Sequence, residues 1–170
     1  MAARSNFKIE ERTGAACFFA QAAEVKIDPQ TGKVKVLRML SAHDVGTVIN
    51  PLTHQGQVEG GMVQGLGFGL MENLLNEEGR IVTANLGEYK IPSISDVPKH
   101  ETVLVQDGDG PGPFHSKPIG EHGAVPTAPC IANAIYDAIG IQIKELPLDA
   151  EKIYAALKMK DDAGASMRRS

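Results

Sequence analysis

No apolar run in this 170-residue chain approaches the roughly 20 residues that a bilayer span requires, and the N-terminus has no apolar h-region of the kind a signal peptide carries. The expectation is therefore a cytoplasmic location and no membrane span. Cysteine is scarce. Cys17 and Cys130 stand far apart and form no Cys-x-x-Cys pair, so the chain by itself offers neither an iron–sulfur nor a structural zinc motif. Both read as small core residues. The five histidines, His43, His54, His100, His115 and His122, show no ligand spacing on one helix, so no metal held by side chains is expected. Basic excess is missing as well: the formal charge is -4 and no basic cluster is interleaved with aromatics, which sets nucleic acid aside as a partner.

What is present fits one globular domain, with 42% hydrophobic and 22% charged residues. Residues 1–16 read as a polar lead-in segment, residues 17–158 as the ordered domain, and residues 159–170 as a disordered tail poor in apolar side chains. Phe18 to Ile27 and Lys33 to Leu40, joined by the turn Asp28-Pro29-Gln30-Thr31-Gly32, read as a β-hairpin. Asn50-Pro51 is a turn pair. A glycine-rich helix is expected from about Thr53 to Leu75, with Gly56 and Gly60 in one row and Gly61, Gly65 and Gly69 in another. Each such glycine costs about 1 kcal/mol relative to alanine, so the rows suit tight helix packing or the close approach of a backbone or a flat cofactor. Gly65-x-Gly67 is not a dinucleotide fingerprint, because it lies inside a helical pattern and lacks the third glycine. Arg80 to Leu86 and Glu101 to Gln106 read as strands, and Ile141 to Leu146 as a further one. Asp107 to Pro113 is a loop. Two helices follow: Cys130 to Ile139, with Thr127 as N-cap, Pro129 in the first turn and Gly140 as a left-handed cap, and then Glu151 to Leu157, capped by Asp149. The fold class is α+β, with a β-hairpin and mixed short strands packed on the glycine-rich helix and the C-terminal helix.

The run Ser116-Lys117-Pro118-Ile119-Gly120-Glu121-His122-Gly123 places one carboxylate, Glu121, a few residues before a helix N-terminus. Lys117 is the only basic residue in register to pair with it. Read on its own, this is a surface-loop glutamate.

Lys117 to Asn133, with its Gly120-Glu121 followed by Pro126-Thr127-Ala128-Pro129-x-Ile131-Ala132-Asn133-Ala134, resembles the active-site loop and helix of the xanthine dehydrogenase and aldehyde oxidase family, in the C-terminal part of its molybdopterin-binding subunit. Asp44-Val45-Gly46, Asn50-Pro51, Gly56-Gln57-Val58-Glu59-Gly60, Gln64-Gly65 and Tyr89-Lys90-Ile91-Pro92 are similar to the same subunit and stand in its order. His122-Gly123 departs from the family, which has two prolines after the glutamate. The resemblance implies part of a larger molybdopterin-binding domain, belonging to a hydroxylase that acts on an aromatic heterocycle or an aldehyde with oxygen from water. Glu121 would be the catalytic base, and Gln57, Lys117, Ile119 and Gly120 would bind the molybdenum–molybdopterin cofactor, a pterin dinucleotide form included. Glu59, Glu72 and Glu88, in helical or strand patterns, suit the role of base less well. The resemblance also implies a larger molybdopterin-binding subunit or missing N-terminal portion, iron–sulfur and FAD-bearing partner subunits and a small-molecule substrate, with no activity for this chain alone. The competing expectation is a non-catalytic assembly module, or an inactive fragment that keeps the fold.

Overall fold

The structure, a computed structural model, describes Arg4, Asn6 and residues 16–167. The expected lead-in lies almost wholly outside them. Strand β1 (Phe19–Ile27) pairs antiparallel with β2 (Val34–Asp44) through the Asp28 turn, where the Asp28 carboxylate accepts from the Gln30 N–H and the Thr31 hydroxyl and Gly32 sits at φ 72°. Period-2 alternation turns Phe19, Gln21, Ala23, Val25 and Ile27 toward one face. In β2 the register shifts opposite Glu24 and Val25, so that Leu37 has no partner. This bulge changes the parity of the strand: Val34 and Val36 face inward before it, Met39, Ser41 and His43 after it. It explains why Leu37 follows two inward valines in the sequence and yet is exposed.

Helix α1 (Pro51–Leu70) starts earlier than its apolar spacing suggests, because Asn50 is its N-cap and Pro51 its first residue. The Asn50 side chain accepts from Leu52 N at 3.1 Å and Thr53 N at 3.3 Å. The helix also stops at Leu70, short of Leu75. The expected strand from Arg80 to Leu86 shrinks to a two-residue ribbon, β3 (Asn76–Glu77) with β4 (Arg80–Ile81). The passage from Met71 to Val97 is otherwise irregular and leaves Leu74, Leu86, Ile91 and Ile94 exposed. Strand β5 (Lys99–Val105) then adds to β2 in parallel, giving the sheet order β1-β2-β5. Its two valines, Val103 and Val105, face outward, while His100, Glu101, Thr102 and Leu104 are partly buried.

Helix α2 (Thr127–Ile139) begins three residues before the expected Cys130 and ends in the left-handed cap Gly140, φ 69°. Thr127 is not its N-cap. Its hydroxyl is used elsewhere, as described below, and no side chain caps that end. The expected strand from Ile141 to Leu146 is absent; that stretch is loop up to α3 (Ala150–Met167), where the Asp149 carboxylate caps Lys152 N at 2.9 Å as its sequence suggests. The α3 backbone continues past Leu157 into the stretch whose low apolar content suggests a tail. No proline interrupts it, and adding a turn to an existing helix needs no new nucleus.

α1 and α2 lie on one face of the sheet, and the core forms between the layers from Val36, Met39, Met62, Leu66, Ile131, Ile135, Ile139, Leu148 and Ile153. Each such side chain contributes about 1.5–3 kcal/mol by leaving water. Cys17 and Cys130 are half-buried; Cys130 packs against this cluster as expected, and Cys17 does not belong to it. No helix among the described residues is long and apolar enough to cross a membrane.

The two glycine rows of α1 have different surroundings. A Cβ at Gly65 would lie 2.6 Å from the Ala124 carbonyl oxygen and from Thr127 Cβ, whereas one at Gly60 would meet nothing within 4 Å. Gly65→Ala is therefore expected to destabilise the chain by about 1–3 kcal/mol through overpacking, and Gly60→Ala to stabilise it by up to about 1 kcal/mol through helix propensity. Urea denaturation midpoints of the two variants check this; equal shifts of the same sign would refute the distinction.

Candidate functional site

The loop carrying Glu121 is fixed before it reaches the carboxylate. It runs along the end of β2, where Lys117 N donates to the Val45 carbonyl at 3.0 Å, Thr47 N to His115 O at 3.1 Å, and Gly46 and Ser116 form a single antiparallel bridge. The Lys117 ammonium does not reach Glu121. It donates to Asp44 Oδ2 at 2.6 Å and to Asp107 Oδ2 at 2.8 Å, joining the loop to β2 and to the turn after β5. Lys117 hydrogen bonds are the first cause holding the Asp44 and Asp107 carboxyls below their ordinary range. The same two contacts, Asp107 first, push the Lys117 ammonium above its ordinary value. Ile119 is half-buried in the loop. Cys17 Sγ lies 3.6 Å from the Pro118 carbonyl; burial first, then Asp44, raises its thiol.

Past Gly120 the chain makes one 3-10 turn, Glu121–Gly123, closed by Ala124 N donating to Glu121 O at 3.0 Å. α1 holds this turn from one side by backbone contact. A Cβ at Gly61 would stand 3.1 Å from Ala124 N and from Gly123 Cα, and one at Gly123 would stand 2.7 Å from Val58 O. From the sheet side, Gln21 Nε2 donates to the Gly123 carbonyl at 3.0 Å and to Ser41 Oγ at 3.2 Å, while the Thr127 hydroxyl reaches Gln21 Oε1 at 2.9 Å and Gly123 O at 2.8 Å. These contacts satisfy a polar patch that would otherwise be left open within the core.

Two of the residues singled out from sequence meet directly: Gln57 Nε2 donates to the Gly120 carbonyl at 2.8 Å. Gln64, two turns further along α1, points its amide at Glu121 Oε1 over a long 3.4 Å. Sequence reasoning passed over Gln64 as a site residue, although its seven-residue spacing from Gln57 places both on one helix face. It also missed Gln21, whose signal, a glutamine at an inward position of β1, is readable only with the register. Gln57, Gly60, Gln64 and Glu121 are exposed together. The three other candidate glutamates are occupied: Glu59 by Gln55 at 2.6 Å and His100 at 3.0 Å, Glu72 by the Tyr89 hydroxyl at 2.6 Å, and Glu88 by Asn85 at 3.0 Å. The arrangement places an exposed carboxylate beside the Gln64 amide, while the Gln57 amide, with one N–H on Gly120, keeps a second N–H and its oxygen available.

Depressed carboxylates contribute stability that is present above their ordinary pKa, about 4, and is lost as pH falls through the lowered value. The raised ammonium contributes below its ordinary value, about 10, and is lost only in strong alkali. The Asp44–Lys117–Asp107 cluster is thus fully charged between about pH 4 and pH 10. Lys117→Met is expected to lower the urea midpoint at pH 7 and to flatten its decline below about pH 4. Midpoints measured from pH 2 to pH 7 check this, and an undiminished acid slope in the variant would exclude the cluster as its source.

Residues 2–98 match the molybdopterin cofactor-binding domain family. The chain is 38% identical over 146 residues to a probable xanthine dehydrogenase subunit of Bacillus subtilis (strain 168), covering 84% of this chain and 19% of that protein. It is 35% identical to the aldehyde oxidoreductase molybdenum-binding subunit PaoC of Escherichia coli (strain K12), over 80% of this chain and 19% of the relative. Among solved structures, the aldehyde oxidoreductase of Desulfovibrio gigas superimposes with a TM-score of 0.77 at 34% identity, covering 84% of this chain and 15% of that one. A Cu,Mo-CO dehydrogenase superimposes with a TM-score of 0.76 at 29% identity, covering 84% and 18%. The chain thus spans about a fifth of the length of the relatives it matches, 19% for the first two. With the match over residues 2–98 and the shared α+β fold, the chain belongs to the molybdopterin cofactor-binding domain family, that of xanthine dehydrogenase and aldehyde oxidoreductase molybdenum-binding subunits.

Proposed function

We propose that this chain supplies the base-bearing part of a molybdenum hydroxylase that oxidises an aldehyde or an aromatic heterocycle with oxygen drawn from water. The observation that carries the reading is the joined pair Gln57–Gly120 at 2.8 Å, with the exposed Glu121 carboxylate next in sequence. The face beside it suits a flat cofactor. A Cβ at Gly56, Gly60 or Gly120 would meet nothing within 4 Å, so a planar group could approach the backbone there. The Gln57 amide spends one N–H on Gly120 and keeps a second N–H and its carbonyl oxygen for the donors and acceptors of a pterin edge.

On this reading Gln57, Ile119 and Gly120 hold the molybdenum–molybdopterin cofactor, whether the simple pterin or a dinucleotide form. Lys117 contributes through the backbone it anchors, since its ammonium is already bound to Asp44 and Asp107. When bound, that cofactor supplies the two-electron acceptor and the activated oxygen. A Glu121 carboxylate oxygen would take the O–H proton of the attacking oxygen as the carbon–oxygen bond forms, the substrate C–H bond breaking with its hydrogen and electron pair passing to that acceptor, and Gln64 Nε2, 3.4 Å away, would steady the carboxylate. Glu121 is open to water here, so the closed pocket that this chemistry favours must come from a covering partner. The exposed apolar side chains Leu74, Leu86 and Ile94 suit packing against a larger molybdopterin-binding polypeptide. Residues 17–158 would form the docked domain in a cytoplasmic complex, and iron–sulfur and flavin subunits would carry the electrons away.

The test is elemental analysis of the complex retained on a tag on this chain in its own host, together with turnover. Near-stoichiometric molybdenum is expected. Glu121→Gln should keep the metal and lose about 10²–10⁴-fold in kcat on an aldehyde or a purine, while Gln57→Ala should lower molybdenum occupancy. Undiminished turnover in Glu121→Gln would remove the base from this account, and a metal-free chain recovered alone would favour the assembly-module reading.

A further inference from the structure

The pair His122-Gly123 departs from the family pattern and has no part in the chemistry above. The geometry explains the glycine, because Val58 O leaves no room for a Cβ. The histidine faces the sheet. Its ring lies 6.3 Å from the Phe19 ring at 20° and 6.2 Å from the His43 ring at 39°, and the Phe19 and His43 rings are 5.5 Å apart at 20°. Phe19 and His43 are directly opposite each other across β1 and β2, so the three rings form a closed triangle at the end of the hairpin. His43 is 1% exposed. The separations are those of offset aromatic packing.

His122 Nδ1 and His43 Nε2 are both buried without a hydrogen-bond partner. A ring buried with an unmatched nitrogen holds its place by its shape, since the nitrogen costs free energy there and contributes none. Burial first, then the neighbouring His122, lowers the His43 imidazole below its ordinary value, against the pull of Asp44.

We propose that His122 is a positioning residue for Glu121: its ring, packed in the triangle with Phe19 and His43, pins the 121–123 turn to the sheet and fixes where the neighbouring carboxylate stands. The turn then has three anchors, namely α1 through Gly61, the Gln21–Thr127 network at Gly123, and this ring. Of these three, only the ring belongs to the residue that follows the base; Gln57 holds Gly120, the residue before it. The role rests on the reading of Glu121 as base, but the pinning itself does not.

The test is amide hydrogen exchange on the full chain, purified in whatever complex its host supplies. The probe is the Ala124 amide, which is bonded to Glu121 O. His122→Ala should speed its exchange tenfold or more, and His122→Phe, which keeps the ring and removes the unmatched nitrogen, should restore wild-type protection. Phe19→Leu should speed the same amide, which keeps the test decisive if His122→Ala fails to fold. An unchanged Ala124 amide in His122→Ala, or in Phe19→Leu if that variant alone folds, overturns the proposal. Equal acceleration in His122→Ala and His122→Phe does so too, because the nitrogen would then be the anchor. In complexes that oxidise benzaldehyde with a dye acceptor, His122→Ala should lower kcat about tenfold at unchanged KM, with recovery in His122→Phe; a KM effect alone would reject positioning. If Glu121→Gln retains full turnover while the exchange pattern holds, the base reading fails and the pinning stands.

Discussion

The contact on which the site depends is backbone against backbone, where α1 meets the 121–123 turn at Gly61 and Gly123. With no Cβ on either residue the two segments approach closely enough that an added methyl at Gly123 would press on Val58 O at 2.7 Å. Everything placed along the exposed side of α1, Gln57, Gly60 and Gln64, is thereby brought beside Gly120 and Glu121. Without that approach Gln57 could not reach a carbonyl 63 residues away in sequence. The helix accepts a string of poor helix formers because tertiary packing, not propensity, decides its stability.

The polar contacts on the other side of the turn do a different job. Gln21 and Thr127 are partly or fully buried; both reach the Gly123 carbonyl and each other, and Gln21 also donates to Ser41 Oγ. Such a network fixes orientation, because a rotation that breaks one bond strands a buried partner. Thr127 is therefore more valuable turned into the core than as the N-cap its position suggests. The missing side-chain cap of α2 is offset by a tighter seat for the turn.

Local chemistry made much of this legible. The Asp28 turn, the left-handed Gly140 cap and the Asp149 cap each rest on a few adjacent residues, and each is found where the sequence places it. What the sequence concealed depends on distant partners. Leu37 looks like one more inward residue until the register shift opposite Glu24 and Val25 is known. Lys117 looks like the natural partner of Glu121, four residues on, yet Asp44 and Asp107 surround it from far along the chain. Val103 and Val105 alternate like a buried face and point outward. Gln57 with Glu121 was legible through motif order, whereas Gln64 required attention to helical spacing alone.

On the proposed reading, the site separates two requirements that a general base must meet together. Geometry is built into this chain: helix backbone, buried amide network and anchored loop converge within a few residues of Glu121. The surroundings that would tune the carboxylate are not, since Glu121, Gln57 and Gln64 all face water. A preformed, rigid edge needs little rearrangement when a second surface closes over it, so less ordering entropy is lost at that step. On the proposed reading this is why a segment about a fifth as long as its relatives can still carry a well-ordered base. Its precision comes from contacts within the segment, and its reactivity waits on desolvation by whatever docks against the open glycine face and the apolar passage from Leu74 to Ile94.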